Sequence, residues 1–300
     1  MYDLIIIGAG PAGITAAVYA ARKRLNFLVI TQDIGGQAAW SGDIENYTGY
    51  QFITGPDLAA KFEEHMRKYK IDVKEGEEAL EADRIGSAVV VRTNKGKYEA
   101  KTLIIASGKV SKELGVPGEK EFKNKGLTYC ATCDGPLFAG KDVAVIGGGN
   151  SALDASLQLI KIAKKVYLID INPSLGGDAV MRDKVEKSNV VTIMNKTVVT
   201  TIVGDKMVTG VKVISDGKED LLAVQGIFVE IGLIPNSNFA NDVKKNQYGE
   251  IVVNCKNETN IQGVFAAGDV TDVPEKQIVI AAGEGSKAAL SAFKYLNQTK

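Results

Sequence analysis

Two cysteines separated by two residues, Cys130 and Cys133, are followed at once by Asp134 in the run CATCDG. Thiols at this spacing close a disulfide across one turn, and neighbouring dipoles raise the thiolate character of such pairs. Asp134 stands where a general acid would protonate a thiolate leaving from a cleaved substrate disulfide. The lesser alternative is a turn residue ahead of Gly135 and Pro136. Zinc is the other chemistry of a CxxC pair and needs two further ligands. Beyond carboxylates, the chain offers only Cys255 and His65. His65, in KFEEHMRKY, belongs on the solvent face of an amphipathic helix. Cys255, in the alternation EIVVNC, reads as a small strand residue. No metal is expected, and neither residue enters the chemistry.

The elements that must position the pair are announced by an internal repeat. DLIIIGAGPAGITAAVYAARKRLNFLVIT, Asp3 to Thr31, aligns without a gap on DVAVIGGGNSALDASLQLIKIAKKVYLID, Asp142 to Asp170, every position displaced by 139 residues. Each copy reads as a buried strand, a glycine-rich turn, a helix with apolar residues three and four apart, and a second strand. That is the βαβ opening of a dinucleotide-binding domain. The first glycine permits the tight turn, the second lets backbone approach a pyrophosphate, and the third position allows helix and strand to pack closely. These are Gly8, Gly10 and Gly13 in the first copy, with Pro11 and Ala12 between them, and Gly147, Gly149 and Ala152 in the second, with Gly148, Asn150 and Ser151 completing the turn. The helix that follows supplies free N–H groups and a positive dipole end to an anion.

Two short apolar strands ending in glycine, TLIIASG to Gly108 and GIFVEIG to Gly232, close one half each. A third segment, GVFAAGDV, has no counterpart in the second copy and precedes a helix-patterned stretch from Ile278 to Leu296. It fits best if returned to the first domain. The fold expected is therefore α/β, with two Rossmann-like domains, the second inserted into the first: residues 1–111 with 242–300, and residues 112–241. The crossings fall in Lys109 to Gly118 and Leu233 to Gln247, which carry proline, glycine and asparagine.

Three hundred residues, 45% hydrophobic and 24% charged, accommodate two such domains. Lysine plus arginine and aspartate plus glutamate number 36 each, so no net field draws the chain to nucleic acid or to an acidic membrane. The apolar stretch Leu4 to Ala21 is broken by Gly8, Gly10, Pro11 and Gly13 and has no basic segment before it, unlike a signal peptide or a membrane span. Three cysteines, two of them adjacent in this way, suit a redox pair in a reducing compartment, so the cytoplasm is the expected location.

GAGPAG, GGQ, CATCDG, GGGNSA and GVFAAGDV, in this order over the whole chain, resemble the low-molecular-weight thioredoxin reductases. Within that group VEIGLIPN, CKNETN and KQIVIAAGEGSKAALSAF are more similar to the C-terminal portion of the alkyl hydroperoxide reductase flavoproteins. Those proteins carry a further N-terminal domain with its own disulfide, whereas this sequence starts at the first strand, so its electron acceptor is expected in trans. The resemblance implies FAD on the first copy and a nicotinamide cofactor on the second. It places FAD contacts on the GAGPAG turn and on Thr31, Gly35, Gly36, Gln37, Asn46, Gly268, Asp269, Gln277 and Ile278. It also puts Cys133 next to the flavin, has Cys130 attack the partner disulfide, makes the nucleotide domain rotate about its two linkers, and implies a homodimer.

Two departures from the family pattern bear on the cofactors. The first copy ends its second strand on Thr31 rather than on an acid, as members of the family often do. The second ends on Asp170, followed by INPSLGGD, where NADPH-using members have a His-Arg-Arg run. A carboxylate there accepts from the ribose hydroxyls of NADH and repels a 2′-phosphate, so NADH is expected over NADPH. The activity implied is electron transfer from NADH through FAD to Cys130 and Cys133, then to a separate thioredoxin-, glutaredoxin- or peroxidase-reductase-like protein. The rival readings are an NADH oxidase or peroxidase-linked flavoprotein, and a thioredoxin reductase driven by ferredoxin or another flavin.

Overall fold

The computed structural model describes residues 1–298 except residue 42; the side chains at positions 43 and 133 lie outside the described residues. The chain divides into two units, Met1–Val110 with Ile234–Lys300, and Ser111–Leu233.

The first unit is built on a seven-stranded sheet. Strand Tyr2–Ala9 lies at its centre, parallel to Phe27–Ile34 on one side and to Lys97–Ile105 on the other. Leu4 to Ile7 are almost fully buried, and the period of two splits them between layers. Leu4 and Ile6 pack with the alanine-rich helices Pro11–Arg22 and Ile278–Gln298, while Ile5 and Ile7 pack with Phe239, Ala240 and Val243 on the opposite face. Burial on both faces explains the unbroken aliphatic run, each side chain contributing about 1.5–3 kcal/mol. The long strand Lys97–Ile105 is shared. Its first half pairs antiparallel with Ala88–Thr93 of a hairpin, and its second half pairs parallel with the late strand Val264–Ala266. That pairing brings Gly268 and Asp269 back to the first glycine turn.

The second unit holds a five-stranded sheet in the order Leu127–Thr128, Gly226–Val229, Asp142–Ile146, Lys165–Ile169, Val191–Met194, and a three-stranded antiparallel sheet from Thr197 to Ala223. The pairs of the five-stranded sheet are all parallel. Its register repeats that of the first unit: Leu4 faces Phe27 and Val143 faces Val166, a displacement of 139 on both strands.

The second crossing lies eight residues earlier than position 241. The stretch after Leu233 looks like a linker because asparagines and a proline dominate it. Yet Phe239 and Ala240 are buried in the core of the first unit, and the Phe239 carbonyl accepts from Ala82 N–H at 2.8 Å. Cys255 also departs from expectation. It sits exposed in a turn, where Asn254 Oδ1 accepts from the Lys256 and Glu258 N–H groups. His65 is exposed on helix Gly55–Arg67. No helix among the described residues is long and apolar enough to cross a membrane.

Candidate active site

The first glycine turn opens on a cleft of about 280 Å³. Gly8 holds φ +100°, and a Cβ there would stand 2.3 Å from the Ala106 carbonyl oxygen; one at Gly13 would stand 1.9 Å from Gly8 O. Gly10 is different, since its nearest foreign atom would be 3.9 Å from an added Cβ. The space beside it is open, as close approach by a pyrophosphate requires. Pro11, at the first helical position of Pro11–Arg22, lacks an N–H that the helix could not have bonded.

Of the positions expected to hold FAD, Gly8, Gly10, Pro11, Ala12, Thr31, Gly36, Gln37, Gly268, Asp269, Gln277 and Ile278 line this cleft, and Gly108 at the end of its strand lines it with them. Gly13 and Gly35 serve packing instead, an added Cβ at Gly35 meeting Ala59 Cβ at 2.8 Å. Asn46 is joined to the cleft through Gln277, its Nδ2 donating to Gln277 Oε1 at 3.0 Å. Thr31 is buried, and its hydroxyl is engaged within the protein: it accepts from Ala9 N–H at 3.2 Å and donates to Asp33 O. Gly268 is fixed by its N–H donating to buried Glu284 at 2.8 Å. Burial raises the Asp269 carboxyl above the ordinary aspartate value, against the lowering pull of the Lys276 and Lys109 charges.

Those two lysines are features that sequence reasoning missed. Lys109 and Lys276 line the cleft, and both ammonium groups reach Glu250 Oε1, at 3.2 and 3.1 Å, from side chains no more than 23% exposed. Burial pushes the Glu250 carboxyl up, but hydrogen bonds from Asn246, Lys276 and Lys109 outweigh it and hold it below its usual value. The three residues are 26 to 167 positions apart, and no local pattern announces them.

In the second unit Cys130 precedes the one-turn helix Ala131–Asp134 and is disulfide-bonded; Cys255 is free. The side chain of Cys133 lies outside the described residues. Thr128 organises the motif: its hydroxyl accepts from Cys130 N–H at 3.2 Å and donates to Asp134 Oδ2. Asp134 makes no capping hydrogen bond to the short helix Gly135–Phe138 that follows it. Its carboxylate thus bonds back to the residue that also holds the Cys130 N–H.

The second glycine turn repeats the first. Gly147 holds φ +130°, and a Cβ would meet the Glu230 carbonyl oxygen at 2.1 Å; Gly149 has nothing within 4 Å. The middle residue differs. A Cβ at Gly148 would stand 1.9 Å from Asp170 Oδ2, so glycine is needed there to admit the carboxylate, where the first copy has Ala9 facing Thr31. Asp170 is 4% exposed, and its Oδ2 has no hydrogen-bond partner, while Oδ1 accepts from Asn172 N–H at 3.2 Å and Asn172 Nδ2 at 3.1 Å. A buried carboxylate oxygen left open beside a glycine turn fits a ribose hydroxyl. Asn150 and Ser151 are exposed at the start of helix Asn150–Ile160, Ala152 is fully buried, and Gly232 holds φ +104°.

A repeated dinucleotide turn with an oxidised CxxC cysteine defines a class of nucleotide-dependent disulfide oxidoreductases. The chain belongs to the pyridine nucleotide-disulphide oxidoreductase family, whose model matches residues 2–285. It is 42% identical over 299 residues to a subunit of the alkyl hydroperoxide reductase of Staphylococcus aureus, covering 98% of this chain and 59% of that protein. It is 40% identical over 298 residues to an NADH dehydrogenase of Ferdinandcohnia aciditolerans, covering 98% of this chain and 57% of the relative. The chain thus spans less than two thirds of these relatives. The thioredoxin reductase of Lactococcus lactis superimposes with a TM-score of 0.93 at 33% identity, over 99% of this chain and 100% of that one.

Proposed function

We propose that the protein is a thioredoxin reductase-like enzyme that draws electrons from NADH in preference to NADPH. They pass through FAD held by the first unit to the Cys130–Cys133 disulfide, and on to a separate thioredoxin-, glutaredoxin- or peroxidase-reductase-like protein. The observation that carries this reading is the oxidised Cys130 with Asp134 held beside it through Thr128. The open cleft at Gly10 and the unbonded Asp170 oxygen fit the two nucleotides. Bound FAD would supply the conversion of a hydride from the nicotinamide into two electrons for a disulfide.

The chain's own residues do the remainder by thiol–disulfide exchange. In the dithiol state the Cys130 thiolate attacks one sulfur of the partner's disulfide, breaking that bond and forming a mixed disulfide. Asp134 donates a proton to the departing sulfur. Cys133 then attacks Cys130 Sγ, restores the internal disulfide and releases the partner's second sulfur. The NADH preference rests on Asp170, whose open oxygen accepts from a ribose hydroxyl and repels a phosphate in its place. The L. lactis and F. aciditolerans proteins support the disulfide and NADH parts of this reading by their names alone.

Replacement of Cys133 by serine tests the order of transfer. Cys133→Ser is expected to abolish reduction of any partner disulfide while NADH still bleaches the flavin at the wild-type rate. Loss of both reactions would contradict it.

A further inference from the structure

The cleft of the first unit is unevenly charged along its length. Near the end of the second strand it is lined by Asp33, Glu77 and Glu78, and the Glu77 N–H donates to Thr31 O at 3.0 Å. The cations that line it, among the described residues, are Lys109 and Lys276, and they meet at Glu250. Lys109 follows Gly108 beyond the strand Lys97–Ile105, on the other side of the central strand from Phe27–Ile34. Gln37 Nε2 donates to the Lys109 carbonyl at 3.3 Å, and Lys276 Nζ donates to Thr271 O at 2.5 Å, so each lysine is held at a second point. Glu250 Oε2 accepts from Asn246 Nδ2 at 2.7 Å, and Oε1 serves the two ammonium groups. Burial works against the charge on Glu250, and these hydrogen bonds outweigh it. Two ammoniums against one carboxylate leave a positive charge in excess, in side chains that water reaches little. Asp269, the other acid facing the lysines, has its own charge opposed by burial. All of these residues belong to the first unit.

We propose that Lys109 and Lys276, held together on Glu250, set the reduction potential of a flavin bound in this cleft. This rests on the reading of the first glycine turn as the FAD turn. In a dinucleotide fold the pyrophosphate lies at the glycine turn and the adenosine ribose at the end of the second strand. FAD laid across Gly10 with its adenosine toward Thr31 therefore has its other half toward Gly108 and Lys109. One hydride carries two electrons and one proton, so NADH leaves as NAD+ and the acceptor gains one negative charge. Nearby cations stabilise that charge, most of all where water is excluded. Removing a lysine charge then lowers the potential, and removing the carboxylate that offsets the lysines raises it. Glu250 is a positioning residue: it holds side by side two like charges that would otherwise repel, and it takes up part of their field.

The test uses the full chain loaded with FAD, its flavin potential read anaerobically from the flavin absorbance against a reference dye. Lys109→Met keeps the length of the stem and loses the charge. The equilibrium constant for two-electron reduction is expected to fall about tenfold, a shift of about 30 mV to more negative potential. Glu250→Gln keeps an acceptor oxygen for the lysines and should shift the potential by about the same amount the other way. Lys109→Arg, which keeps the charge, should leave the potential near that of the wild type. Opposite signs for the methionine and glutamine variants are the mark of a charge effect. A merely structural role would move both the same way or neither, and either result would overturn the proposal. Should Lys109→Met fail to hold FAD, Lys276→Met carries the same prediction. Binding of FAD by the flavin-stripped full chain is measured alongside by flavin fluorescence. A wild-type chain that binds no FAD would sink the flavin reading and this inference with it, whereas tight binding with one potential in all variants would sink the inference alone.

Discussion

Asp134 shares Thr128 with the cysteine it serves, since one hydroxyl accepts from Cys130 N–H and donates to the Asp134 carboxylate. If the acid delivers the proton to the departing sulfur, Asp134→Asn keeps the shape and loses the proton. Stopped-flow measurements should show reduction of a partner disulfide slowed about 100-fold or more, with flavin reduction by NADH unaffected. Equal slowing of both steps would mean that the residue only supports the fold. Glu230 offers a pH test in the same unit. Burial, with the Asp154 charge adding to it, raises its carboxyl from 4.5 to about 8. The folded value lies above the unfolded one, so the folded chain binds the extra proton across that window. The associated stability is fully present below the unfolded value and is lost as pH rises through about 8. Glu230→Gln removes this loss, so its thermal midpoint should gain on the wild type between about pH 5 and pH 9. A margin that does not change with pH would show the carboxyl to be ionised throughout.

The two glycine turns share a register yet differ at their third position, and the difference is steric. A Cβ at Gly13 would stand 1.9 Å from Gly8 O, whereas the second copy houses a real Cβ on Ala152, fully buried. Gly13→Ala is therefore expected to cost about 1–3 kcal/mol through overpacking and to lower the flavin content of purified protein. Ala152→Gly should cost no more than about 1 kcal/mol, the helix propensity difference. Calorimetry with absorbance at the flavin band decides this, and a Gly13→Ala protein with full flavin and an unchanged midpoint would refute the packing argument. These turns were legible in the sequence because strand, glycines and helix lie within thirty consecutive residues and carry their periodicity with them. The contact between Glu250 and the lysines Lys109 and Lys276 was not, because only the return of the chain to the first unit brings the three together. Phe239 and Ala240 were hidden for a related reason: their polar neighbours mask two apolar side chains whose partners, such as Ile5 and Leu103, lie far away in the chain. The requirement for glycine at position 148 became visible only once Asp170 Oδ2 was seen against it.

At the scale of the whole molecule the chain uses one supersecondary unit twice and ends the two copies on different residues, Thr31 and Asp170. The hydroxyl of Thr31 is consumed by backbone, and one oxygen of Asp170 is left open. The two turns thereby offer a ligand different groups, and the cysteine pair belongs to the unit that carries the acid. The proposed electron flow, from a nicotinamide through a flavin to a disulfide, would use both turns and the cysteine pair, and the family to which the chain belongs is that of the pyridine nucleotide-disulphide oxidoreductases. The most direct test is anaerobic titration of the flavin-loaded chain with NADH, following flavin absorbance and free thiols together. The account predicts that the flavin bleaches only after a first equivalent of NADH has been consumed, and that two new thiols appear per chain beyond Cys255. Bleaching with the first equivalent and no new thiols would contradict it.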